Sequence, residues 1–163
     1  MKPFLFLLLP LAMVGCVGTV KSESVRPDPS IHLRAYRKLA LVLVDASGGT
    51  SVNAAAGGPL LSGQVTNGSD LAPQILRSLQ FNMASVGFQL VDRSQADLIG
   101  EFSIGQIRRD PIAGWIADEA ILVLKNPATG DTINMFRFRS GNGITPTVNR
   151  LLDSITESMK KAY

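Results

Sequence analysis

Cysteine and histidine are almost missing: the 163-residue chain holds one of each, Cys16 and His32. A single thiol excludes an intramolecular disulfide, so the fold must be held by burial alone. A single imidazole excludes a cysteine/histidine metal site and leaves His32 as the only histidine that could serve an activated serine as base. Long apolar runs are also lacking. The longest, Phe4 to Val14, is broken by Pro10 and falls short of the ~20 residues a spanning helix needs. Excess charge of one sign is scarce, with 16 Lys and Arg against 13 Asp and Glu, and this balance makes no case for nucleic acid. Tryptophan occurs once, as Trp115.

The chain is organised around its first sixteen residues, MKPFLFLLLPLAMVGC. Lys2 is a short positive start, Phe4 to Val14 an apolar segment, and Met13-Val14-Gly15-Cys16 resembles the lipobox of bacterial lipoproteins, with Met13 where Leu is usual. The resemblance implies cleavage before Cys16 and a diacylglyceryl group on its sulfur; the alternatives are an uncleaved anchor helix or an ordinary secretory signal. Cleavage removes residues 1–15 and leaves 148 of the 163, the usual size of one domain. Asp directly after the lipidated Cys tends to retain Gram-negative lipoproteins in the inner membrane. Val17 stands there instead, which implies the outer membrane, with the domain in the periplasm.

Residues 17–33 are polar, carry Pro27 and Pro29 and show no periodicity. They read as a flexible tether, so that residues 16–35 form the lipidated Cys and its linker and 36–163 a single domain. LALVLVD at 39–45 is apolar at six of seven positions, as expected of a central strand covered on both faces. Residues 46–68 hold six glycines and no charge. They form a connection too long to be ordinary, yet without the Gly-Lys-Ser/Thr ending of a phosphate cradle.

Ser69 predicts a helix cap and Pro73 a first turn, followed by an apolar stripe at Leu71, Ile75, Leu79, Met83 and Val86 that Gly87 ends. Ala96 to Arg108 reads as one long strand, followed by a loop, RDPIAGW. Glu119–Lys125 and Asp131–Ser140 read as a hairpin in which Lys125 faces Asp131 and Glu119 faces Arg137; Phe136 and Phe138 share one face, Arg137 and Arg139 the other. Thr145-Pro146 predicts the cap of a last helix whose apolar side is Val148, Leu151, Leu152, Ile155 and Met159. The sum is an α+β fold: a mixed or antiparallel sheet with two amphipathic helices packed on one face.

The lipobox, LALVLVD, the helix of residues 69–86, RSQADLIGEFSI and LKNPATGDTINMF together resemble small envelope lipoproteins related to the curli-secretion lipoprotein, the penicillin-binding-protein activator lipoprotein and the amino-terminal domain of TolB. That resemblance, one of element order and short patterns, implies protein binding or assembly in the cell envelope. It carries over no functional residue.

Among the residues themselves, nothing assembles a nucleophile, base and orienting group. His32 lies in the expected tether, and Asp110, Asp118 and Glu119 are flanked by Arg108, Arg109 and Arg137. No enzyme activity, cofactor or metal is expected. The candidate binding surface is Trp115 with Arg108, Arg109, Arg137 and Arg139, because Trp and Arg dominate interface energetics; the competing reading of Trp115 is a plug for the end of the core. The expected partners are the membrane, through lipid on Cys16, and an envelope protein or a second copy, with no nucleic acid. A carrier of lipid or a small ligand is the alternative, an envelope hydrolase a more distant one. A deep apolar pocket would favour the carrier and an exposed apolar patch around Trp115 the protein partner.

Overall fold

Leu39 to Leu43 are buried without a break, which a strand achieves only with cover on both faces and partners on both edges. In the computed structural model, which describes residues 18–44, 52–53 and 68–163, this strand (β2, Lys38–Leu43) lies parallel to β5 (Leu98–Ile104) on one side. Its other edge is shared by two short pieces, β3 (Val52–Asn53), antiparallel to it, and β4 (Gln89–Leu90), parallel. The strand is therefore interior but not central. β5 pairs antiparallel with β8 (Glu119–Lys125), β8 with β9 (Thr132–Ser140), and β9 with β1 (Val20–Val25), so the main sheet runs β1-β9-β8-β5-β2-β3 with β4 also on β2.

Two helices, α1 (Gly68–Val86) and α2 (Val148–Ala162), cover one face of this mixed sheet. Both stripes expected from periodicity face the core: Leu71, Ile75, Leu79 and Met83 of α1 are buried and Val86 at its end is half-buried against the core, while Val148, Leu151, Leu152, Ile155 and Met159 of α2 are all buried. They join Leu39, Leu41, Phe102, Leu122, Phe136 and Phe138 from the sheet in one core, and each fully buried side chain of this kind contributes ~1.5–3 kcal/mol. α1 ends in a paired closing turn. Gly87, at φ +120°, donates to the Ala84 carbonyl (3.1 Å) and the Phe88 N–H to the Met83 carbonyl (3.2 Å), which satisfies two otherwise orphaned carbonyls and places Phe88 in the core.

Several local expectations are corrected. Residues 17–33 are not a free tether where they are described: Val20–Val25 is a strand on β9, and Leu33 is buried. Strand pairing overrides the polar composition, because an edge strand needs only backbone partners and a solvated outer side. The long strand of 96–108 breaks after Ile104, where the Gly105 N–H turns to the Glu119 carbonyl (2.8 Å). The expected loop RDPIAGW is a second, separate ribbon, β6 (Ile107–Asp110) with β7 (Gly114–Ala117).

In the β8–β9 hairpin Glu119 lies opposite Arg139, not Arg137, and a bulge at Leu124/Lys125 brings Lys125 opposite Thr132. From Glu119 to Leu124 the shift is two residues, which keeps those side chains on their expected faces as a shift of one would not. The last helix is capped two residues later than expected. Thr147 Oγ1 accepts from the Arg150 N–H (3.3 Å), because the Pro146 carbonyl is taken by the Ala117 N–H (3.2 Å) and Thr147 bridges to Ile116, which holds the chain extended that far. The cap expected at Ser69 falls among side chains outside those described, as do Cys16 and nearly all of the glycine-rich stretch; α1 begins at Gly68.

Candidate functional site

The β6–β7 ribbon leaves the sheet between β5 and β8 and folds over the N-terminal parts of both helices. Its turn, Pro111-Ile112-Ala113, is made by Asp110, whose Oδ1 accepts from the N–H groups of Ile112 (2.8 Å) and Ala113 (2.7 Å), and by Gly114 at φ +82°, the left-handed residue a three-residue hairpin loop requires. These backbone bonds, Ala113 first, hold the Asp110 carboxyl below the usual carboxylate range, with a smaller contribution from the Arg108 charge. The turn is thus tightly built, yet it carries Ile112 with 97% of its surface exposed.

Trp115 stands on β7 directly opposite Arg109. It is half-buried and packs against the core, so it is neither a complete plug nor a free anchor. It forms one wall of a groove of about 410 Å³ whose apolar lining is Leu71 and Ile75 of α1, Val148 and Leu152 of α2, and Trp115 itself. Arg109 is exposed and has no ion pair among the described residues. Arg108 is committed to Asp118 (3.1 Å) and to Thr145 Oγ1 (2.9 Å), a bond that ties the base of the ribbon to the turn before α2.

Arg137 and Arg139 are set apart from this cluster, on the sheet face away from the helices. Arg137 pairs with Glu119 (2.7 Å) and Arg139 with Glu23 (2.5 Å), beside Lys125 with Glu101 (2.6 Å). The hydrogen bond to Glu119, then its charge, raises the Arg137 pKa above its ordinary value. Of the five expected surface residues the fold therefore gathers Arg108, Arg109 and Trp115 and separates Arg137 and Arg139. Among the carboxylates weighed for catalysis, Asp110 is bonded to its own turn, Asp118 to Arg108 and Glu119 to Arg137, and His32 is exposed at the start of a short 3-10 turn.

Sequence reading missed Ile112. Its signal was an apolar residue inside the pattern Asp-Pro-x-x-Gly, which turns a chain sharply and leaves its middle outside. A second groove of about 550 Å³ between β1 and α2 is polar, lined by Ser22, Arg150, Asp153, Glu157 and Lys161 among others.

No protein-family model matches the chain, and no curated protein does. The resemblance to the curli-secretion, activator and TolB group thus has no sequence match behind it. Among solved structures the chain is similar to the PelC dodecamer from Paraburkholderia phytofirmans, with 12% identity over 90% of this chain and 94% of that one and a TM-score of 0.50. A point variant of that dodecamer gives 14% identity, 90% and 95% coverage and a TM-score of 0.50. A DUF4136 family protein from Bacteroides thetaiotaomicron gives 13% identity, 88% and 96% coverage and a TM-score of 0.49. At such identities the likeness to PelC is one of fold, and it spans nearly the whole of both chains.

Proposed function

We propose that this chain is a lipoprotein of the bacterial outer membrane, anchored by lipid on Cys16, whose periplasmic domain works without catalysis as an assembly module that binds further copies of itself or another envelope protein. The observation that carries the reading is the half-buried Trp115 beside Arg109, which has no ion pair among the described residues, over a groove between two helices. Trp and Arg are the side chains that concentrate binding energy when a partner completes their burial. Self-association is supported by the fold shared with PelC, which is a dodecamer. The address is supported by Met13-Val14-Gly15-Cys16 after an apolar run.

The anchor and the assembly are tested separately. Cys16→Ser should leave an unlipidated precursor that the lipoprotein peptidase does not process; normal palmitate labelling of that variant would end the lipoprotein reading. For assembly, a photo-cross-linking amino acid placed at position 115 in living cells should give an adduct whose mass and peptides contain two copies of this chain, or this chain and one envelope protein. No adduct, together with a Trp115→Ala variant that unfolds at much lower temperature, would make Trp115 a core side chain only.

A further inference from the structure

The correction at residues 17–33 changes how far the domain can stand from its anchor. Gly18 is buried: a Cβ there would meet the Ile144 carbonyl oxygen at 2.8 Å and the Thr145 oxygen at 3.2 Å. The Thr19 N–H bonds to Asn142 Oδ1 (3.2 Å), its carbonyl accepts from the Gly141 N–H (2.8 Å), and Val20 begins β1 opposite Ser140. Gly18, only two residues after Cys16, is thus already packed into the domain, and two residues span at most about 7 Å. A lipid on Cys16 leaves almost no linker.

The strand registers show what lies at that end. β1 and β8 begin there, β2, β5 and β9 finish there, and α1 and α2 both start there. The turn 141–146 that packs on Gly18 also receives the base of the β6–β7 ribbon, through Arg108 to Thr145 and the Ala117 N–H to Pro146. Ile144 is 38% exposed in that turn, and the ribbon rooted there carries Ile112, 97% exposed at its tip, and Arg109, without an ion pair among the described residues. The ribbon's four residue pairs give it a length on the order of 10 Å at ~3.3 Å per residue. Its tip therefore lies within about that distance of the base tied to the turn 141–146.

Building on the proposed lipid anchor at Cys16, we propose that this pole lies on the bilayer, with Ile112 and Ile144 entering its interface and Arg109 meeting lipid phosphate. A bilayer is the occupant this pole fits, because the anchor brings it within two residues, and because isolated apolar tips beside a cation suit a soft, anionic surface better than a shaped protein cleft. The opposite pole, with the β8–β9 turn and the C-terminus, faces the periplasm, and the Trp115 groove opens beside the membrane.

The test uses the full, lipidated chain carrying Ile112→Cys or, as a control, Phe81→Cys, since Phe81 is 78% exposed in the C-terminal half of α1. Each protein is labelled with the thiol-reactive fluorophore NBD and reconstituted in vesicles of phosphatidylethanolamine and phosphatidylglycerol. A diacylglyceryl group blocks the Cys16 sulfur, so the new cysteine alone takes the label. The expected result is blue-shifted emission at 112 that acyl-brominated lipid quenches almost completely, and neither effect at 81. If mass spectrometry finds the lipid on Cys16 but the label at 112 behaves like that at 81, the docking is overturned and the anchor stands. If Cys16 carries no lipid and takes the label itself, the anchor falls and the docking with it.

Discussion

At Gly100 the side chain is absent because three neighbours occupy its space. A Cβ on this strand position would lie 2.6 Å from Leu41 Cδ2 and 3.4 Å from Leu122 and Leu39 methyls. Those leucines lie on the buried face that receives the helices, so they can yield only by disturbing the core. Gly100→Ala should therefore destabilise the protein by ~1–3 kcal/mol, the range for overpacking a filled interior. Urea denaturation measures it; an unchanged midpoint would mean that Leu41 rotates away freely. A glycine inside a strand marks either a close approach or a bulge, and only the packing shows which.

Among the elements, β1 is the one that composition conceals. It is an edge strand with largely exposed side chains; Val20 packs on the core, the Ser24 hydroxyl donates to Asn134 Oδ1 (3.1 Å), and its one ionic tie across the strands among the described residues is Glu23, which bonds Arg139 and lies near Lys21. The hydrogen bond from Arg139 lowers the Glu23 pKa most; desolvation, next in size, opposes it, and the charge of Arg139 and the hydrogen bond and charge of Lys21 add to the lowering. A carboxyl whose pKa is depressed on folding adds stability above its unfolded pKa and loses it as pH falls through the folded one. Glu23→Gln should therefore be less stable than the parent at neutral pH and equally stable once the carboxylate is protonated in acid. A difference that persists unchanged in acid would show that the charge is not what holds β1. The pair is exposed, so the difference will be small and will shrink with salt.

For the whole molecule, the helices and the sheet share one continuous core, so unfolding should be a single cooperative transition. Leu152 is 4% exposed inside that core. Leu152→Ala should lower stability by ~2–5 kcal/mol and move the denaturation midpoint without changing its slope. Two separate transitions would mean that α2 is not part of the common core. The same residue lines the Trp115 groove, so the groove's floor and the fold's stability depend on the same side chain.

Local pattern was enough where one period or one special residue decides structure. The apolar stripes of α1 and α2, the doubly buried β2, the closing turn at Gly87 and the two faces of β9 were all legible, because burial imposes periods of 3.6 and 2 on the chain directly. Tertiary structure alone decided the matters that rest on partners distant in sequence. β1 is a strand because β9, more than a hundred residues away, offers its edge. α2 starts at Val148 rather than earlier because β7 holds Pro146 and Thr147. Trp115 meets Arg109 and both helices, while Arg137 and Arg139 face the other side of the sheet, because β6 and β7 leave the sheet as a separate ribbon. Composition specifies what must be buried, but hydrogen bonds and contacts across long loops decide which backbone lies beside which. The pole that gathers the anchor end, the ribbon and the turn 141–146 is a product of those pairings, which no stretch of sequence contains.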